Sequence, residues 1–216
     1  MDRKFLLTAG LVLSIAFVPG KAHAYSTTLI NFPIADILKH REGMYLLGAS
    51  GFARNVDKGF SWSQSATFGI FDKGELGVAN DFLGHSVFDA KLQIYDAPKD
   101  GVSLSIGVAQ YDADARTNDT FVCVRKDFAN FRLHASAYKS DKIVGVFGVD
   151  FSCGKGCCSG WSGAIEHVTG TNSETWVALT SPMVAKGVSV TLASRFPWDG
   201  GSGPQYQAIL NYGFRF

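Results

Sequence analysis

The feature that most constrains this chain is a two-residue alternation in which one parity is apolar and the other carries charge. In the final stretch, Tyr206, Ala208, Leu210, Tyr212, Phe214 and Phe216 share one parity. Gln205, Gln207, Asn211, Gly213 and Arg215 share the other, with Ile209 the single intruder. Successive side chains of a strand point to opposite faces, so this segment is an apolar wall backed by a polar one. The pattern recurs. Val188, Val190, Leu192 and Phe196 oppose Ser189, Thr191, Ala193 and Arg195. Phe88, Ala90, Leu92 and Ile94 oppose Asp89, Lys91, Gln93 and Tyr95, and Phe131, Leu133, Ala135 and Ala137 oppose Arg132, His134, Ser136 and Tyr138.

The charges decide which face is inside. Asp89, Lys91, Arg132, Asp150, Glu166, Arg195 and Arg215 all have polar-face parity. In a soluble core they would be buried ions, each costing several kcal/mol unless paired. If the apolar faces meet lipid and the polar faces line a wet interior, the difficulty disappears. Only a closed barrel lets strands cross lipid with every backbone group bonded. A soluble two-sheet sandwich also alternates, but long polar loops are missing and the end strand is rich in aromatics. The composition agrees with a lipid-facing wall: 46% of residues are hydrophobic and the mean hydropathy is +0.08, yet beyond the N-terminus no apolar run approaches the ~18 residues of a spanning helix.

The spacing predicts an all-β fold, a closed antiparallel transmembrane barrel of about twelve strands. The expected strands are Met44–Ala53, Phe60–Phe71, Glu75–Asp81, Val87–Tyr95, Val102–Tyr111 and Thr120–Lys126, followed by Phe131–Lys139, Ile143–Phe151, Trp161–Val168, Thr175–Met183, Val188–Phe196 and Gln205–Phe216. Residues 43–216 number 174, or 14.5 per strand and turn over twelve strands. A tilted membrane strand takes about 9–11 of these. Turn-formers such as Asp72-Lys73-Gly74 and Pro98–Gly101 separate the strands; Gly supplies positive φ, Pro fixes φ, and Asp bonds its own backbone. The alternation does not assign a face to strands one, six and ten.

The N-terminus reads as an export signal. Arg3 and Lys4 precede the apolar run Phe5–Val18, and Ala22-His23-Ala24 offers a small-x-small cleavage site before Tyr25. The run is about 14 residues, too short to span as a helix. The expected organisation is therefore a signal at 1–24, an N-terminal periplasmic or lumen-plugging segment at 25–42, and a barrel at 43–216. Within the middle segment, Ile34–Arg41 could make two helical turns. Without Asp2, Arg3, Lys4 and Lys21, the 20 basic and 19 acidic residues become 17 and 18, a net charge of −1. That balance excludes the basic face a nucleic-acid partner needs.

The chain closes on Tyr212-Gly213-Phe214-Arg215-Phe216. Alternating aromatics ending in Phe216, together with an export signal, resemble the bacterial outer-membrane β-barrel superfamily, porin-like, over nearly the whole length. The resemblance does not select a subfamily. It implies location in the bacterial cell outer membrane, contact with outer-membrane lipid, and recognition of the last strand by the barrel-assembly machinery. It also implies both termini on the periplasmic side. In that orientation Phe71, Tyr95, Phe128, Phe131 and Phe151 lie where a periplasmic aromatic girdle belongs, and Trp198 lies at the outer one.

The candidate pore lining is Asp89, Lys91, Arg132, His134, Asp150, Glu166, Arg195 and Arg215, which would select solutes by charge. The structural alternative is a paired network that closes a narrow barrel, since twelve strands enclose less than the 16–18 of open porins. The expected function is a channel for small hydrophilic solutes. The alternatives are a closed structural or surface-binding barrel without transport, and a lipid-acting enzyme. His134-x-Ser136 is the one enzyme-like pair, because two residues apart on a strand share a face. It resembles the outer-membrane phospholipase, but Ser136 is followed by Ala137-Tyr138 where that family has Asn-Gly, and parity points the pair inward. No enzyme is expected, and no cofactor or metal. Cys153, Cys157 and Cys158 sit in one Gly-rich turn, and in an oxidising compartment a local disulfide from Cys153 to Cys157 or Cys158 is expected there.

Overall fold

The computed structural model of the chain describes residues 33–52, 61–80, 86–112, 117–139, 142–153, 159–170, 173–198 and 204–216. The expected signal at 1–24, residues 25–32, Cys157 and Cys158 lie outside them. Twelve strands run in order: β1 Glu42–Phe52, β2 Ser61–Ile70, β3 Gly74–Asn80, β4 Ser86–Ala97, β5 Val102–Asp112, β6 Thr117–Asp127, β7 Phe131–Lys139, β8 Ile143–Ser152, β9 Ser162–Val168, β10 Glu174–Thr180, β11 Val188–Pro197 and β12 Gln205–Arg215. Each pairs antiparallel with its neighbours in sequence. The sheet closes through β1 and β12, from Glu42↔Arg215 to Phe52↔Gln205. Closure leaves no unpaired edge, which is what lipid demands. Among the described residues there is no helix. The expectation of helical turns over Ile34–Arg41 is therefore corrected: these residues run as an irregular segment, and the carbonyls of Ile34, Ala35 and Asp36 are met by side chains of the wall.

At the end where β1 begins and β12 finishes, here the proximal end, tight turns join β2 to β3 and β4 to β5. In the first, Phe71 and Asp72 both have positive φ, 52° and 55°, and Lys73 N–H donates to Ile70 O at 3.1 Å. Two left-handed residues in succession make the hairpin turn whose twist matches that of the strands.

The outer wall is largely apolar. Leu76, Leu92, Phe147, Ile165, Leu179 and Leu192 project from it. Aromatic rings gather at both rims, as expected of a barrel that meets two lipid–water interfaces. Phe71, Tyr95, Phe128, Phe131 and Phe151 are exposed at the proximal rim, with Phe128 and Phe131 stacked at 4.8 Å. Trp62, Phe88, Phe196, Trp198 and Tyr206 are exposed at the distal one. Trp198 stands edge-on to His167 and donates Nε1–H to Thr175 Oγ1 at 2.8 Å. A ring at this depth keeps its body in hydrocarbon and its polar edge bonded.

The three strands whose faces the alternation left open carry apolar side chains inward. β6 turns Phe121 and Cys123 into the barrel, where they pack with Ala109, Tyr138, Val146, Val168 and Ala35 of the N-terminal segment. β10 turns in Trp176, over Ala164, Ala178 and Ala193. β1 turns in Met44 and Leu46, whose register partners Gly213, Asn211, Thr67 and Ser65 lie on the polar parity of β12 and β2. Part of the interior is thus a small packed core, and that core erases the polar parity from the sequence.

Candidate functional site

All eight candidate lining residues have inward parity, and they group by register. Register pairs Arg132 with Asp150, and His134 with Gly148, which in turn pairs with Glu166. The glycine between His134 and Glu166 leaves room for both side chains, which are buried. Arg132 Nε donates to Asp150 Oδ1 at 2.9 Å, and His134 Nε2 lies 3.4 Å from the same oxygen. On the far side of the barrel Arg195 pairs with Glu174, which also accepts Trp176 Nε1–H at 2.7 Å. Arg215 is placed differently. Its side chain is 78% exposed at the proximal rim, where it bonds Glu42 Oε1 at 2.5 Å across the closing seam. Lys91 forms an ion pair with Glu75 at 2.9 Å, both side chains fully buried. Asp89 is buried beside them, its carboxylate lying over Gly77 on the adjacent strand.

Between these walls lies the segment Pro33–Lys39. Pro33, Ile34 and Ala35 are buried in the barrel, and four consecutive carbonyls of the segment accept bonds from inward side chains. Pro33 O accepts Cys123 Sγ–H and Ser136 Oγ–H, each at 3.1 Å. Ile34 O accepts Lys91 Nζ–H at 3.1 Å. Ala35 O accepts Ser105 Oγ–H at 2.8 Å and Gln93 Nε2–H at 3.1 Å. Asp36 O accepts a further bond from Lys91. The Asp36 carboxylate sits between two guanidinium groups, paired with Arg125 and bonded by Arg132 Nη1 at 2.8 Å. Nearer the rim, Leu38 N–H donates to Glu75 Oε1 at 2.5 Å and His40 N–H to Asp72 Oδ1 at 2.7 Å. His40 also stacks on Phe71.

Glu75, Arg125, Asp127 and Glu174 belong to the charged interior but were not among the eight expected residues. Glu75 follows a Lys-Gly turn and reads as a turn charge. Arg125 and Asp127 lie on β6, whose parity the packed Phe121 and Cys123 conceal. Glu174 opens its strand. Asp36 lies in a stretch whose spacing suggested a helix. The enzyme-like pair does not assemble: the Ser136 hydroxyl is turned to Pro33 O, while His134 is turned to Asp150. Cys123 lies mid-barrel beneath Pro33, and Cys153 at the proximal end.

No protein-family model matches this chain, and no curated protein does. Solved structures do. The chain is similar to the KdgM porin, at 9% identity and a TM-score of 0.58 over 80% of this chain and 99% of that one. It is similar to the KdgM porin in complex with disordered oligogalacturonate, at 10% identity and 0.57 over 81% and 99%. It is also similar to the NanC porin in a rhombohedral crystal form, at 6% identity and 0.50 over 81% and 100%. At such identities the shared property is the fold. In fold the chain is a closed barrel of twelve antiparallel strands, similar to those porins.

Proposed function

We propose that this chain is a channel for small hydrophilic solutes in the bacterial outer membrane, exported by the signal read at residues 1–24. The observation that carries the reading is the inverted wall: lipid-facing side chains are largely apolar, while the inward ones include four cations, Lys91, Arg125, Arg132 and Arg195. A barrel needing only to stand in lipid has no use for so many interior ions, each of which must be desolvated and matched. A solute path uses them to replace hydration and to discriminate by charge. The side of the interior formed by β10, β11 and β12 supports the reading. There Thr180 bonds Thr191, Asn211 bonds Thr191, and Arg195 bonds Glu174, a hydrophilic strip on the inner face.

A second reading, a barrel without transport, is favoured by one observation: Pro33–Lys39 occupies the opposite side. The test is swelling of liposomes carrying refolded protein, with sugars and amino acids of graded size, once a heat-dependent gel shift shows that the barrel has formed. Swelling with a size cut-off is expected. Its absence from properly folded protein would leave the structural reading standing.

A further inference from the structure

We propose that the inward faces of β3–β8 form a binding site for an extended peptide carrying one carboxylate, that its resident ligand is this chain's own Pro33–Lys39, and that Asp36 is the latch that keeps it there. The inference rests on the channel reading for its consequence, narrowing of the lumen, but not for the binding itself.

The geometry is that of recognition rather than of continued sheet. Side chains from four different strands, Lys91 and Gln93 of β4, Ser105 of β5, Cys123 of β6 and Ser136 of β7, each donate to a main-chain carbonyl of the segment. These donors read the backbone of a peptide and ignore its side chains. One side chain is read: the Asp36 carboxylate, which meets Arg125 and Arg132 together. Charge-assisted bonds of that kind are about twice as strong as neutral ones. Bonds from side chains to carbonyls can be exchanged singly for water in a wet interior, whereas a strand ladder cannot. The carbonyl row therefore positions the segment, and the doubly held carboxylate decides whether it stays.

The wall is shaped to accept it. Gly69 of β2 has no side chain where the segment passes, and a Cβ there would strike the carbonyl oxygens of Leu38 and Lys39. The two arginines are not idle when the ligand leaves, because Arg125 also bonds Asp127 and Arg132 also bonds Asp150. The emptied site is left with two matched pairs rather than two stranded cations, which makes departure feasible.

Cys123 reports occupancy without reference to transport. It is fully buried, with Pro33 O as the acceptor of its thiol and Ala35 in the same packed cluster. The full chain is refolded into vesicles and treated with a water-soluble maleimide, and modification of the peptide containing Cys123 is followed by mass spectrometry alongside ion conductance. Wild type is expected to protect Cys123. Asp36→Asn is expected to raise its labelling rate by at least about tenfold, the factor equivalent to losing ~1.4 kcal/mol of retention, and to raise conductance. A synthetic peptide spanning residues 33–39 should restore protection in that variant, and the same peptide with Asn for Asp should not. Should Asp36→Asn fail to fold, Arg125→Gln tests the latch from the wall. Cys123 reactive in folded wild type, or equally protected in both variants, overturns the proposal. Cys123 released without any gain in conductance upholds the latch and overturns the channel reading. Conductance in wild type that the variant does not change, with Cys123 protected, does the reverse.

Discussion

At the scale of single residues, the interior is governed by what a fully buried charge requires. Lys91 and Glu75 are shut away from solvent together. Each therefore depends on the other, and removing one partner of such a pair costs about 3–5 kcal/mol because the survivor is left uncompensated. Glu75→Gln is accordingly expected to lower barrel stability by that amount. The expected readout is a lower urea midpoint for the folded band on unheated gels, with Glu75→Gln/Lys91→Gln recovering part of the loss. A Glu75→Gln barrel as stable as wild type would mean that water reaches Lys91. Such pairing was only partly legible in the sequence. Lys91 carries its inward parity openly, between Ala90 and Leu92. Its partner does not, because a carboxylate directly after Lys73-Gly74 has the look of turn solubility. Nor does any local pattern connect Asp36 to Arg125 and Arg132, which stand far along the chain and are brought to it only by closure of the sheet.

At the scale of the strand, alternation is the physical content of the fold, and it was readable wherever the inner face is wet. β4, β7, β11 and β12 show it with few exceptions, because lipid selects one face and water the other. In β1, β6 and β10 the inner face meets Met44 and Leu46, Phe121 and Cys123, or Trp176. A packed interior selects the same residue types as lipid, so the parity signal cancels. The segment Ile34–Arg41 failed as a helix for a related reason. Its apolar residues at helical spacing are equally suited to lie across the interior, and three of its carbonyls, with that of Pro33 before them, find donors there that no helix would need. The two faces of one strand make a direct comparison possible. Leu192 of β11 is 60% exposed on the outer wall, with Ser189 on the inner face. Leu192→Arg sets a cation in hydrocarbon near mid-membrane, at an expected cost of about 2–4 kcal/mol. Ser189→Arg adds one to a polar interior and is expected to cost less than about 1 kcal/mol. Folding yield into vesicles, read as the heat-shifted gel fraction, should fall for the first and hold for the second. Equal losses would mean the faces are assigned wrongly.

At the scale of the whole barrel, the interior charges set a field that no single pair reveals. Among the described residues four inward cations each have a carboxylate beside them: Lys91 has Glu75, Arg125 has Asp127, Arg132 has Asp150 and Arg195 has Glu174. With Asp36, Asp89 and Glu166, the inward carboxylates named here number seven against those four cations. An interior walled by low-dielectric material concentrates the field of any excess charge along its axis, so cations should enter more readily than anions. The expected reversal potential in a tenfold gradient of potassium chloride therefore has the sign of cation preference. Screening sets its salt dependence. The Debye length is about 10 Å at 0.1 M and 3 Å at 1 M, so the preference should be strong when the concentrated side is held near 0.1 M and should fade toward 1 M. Asp89→Asn removes one inward negative charge while keeping its shape, and should weaken the preference without changing the size cut-off for uncharged sugars. If the wild-type potential has the sign of anion preference, the inward carboxylates do not set the field. The arginines would then set the field, and solutes carrying a negative charge would be the ones to try next.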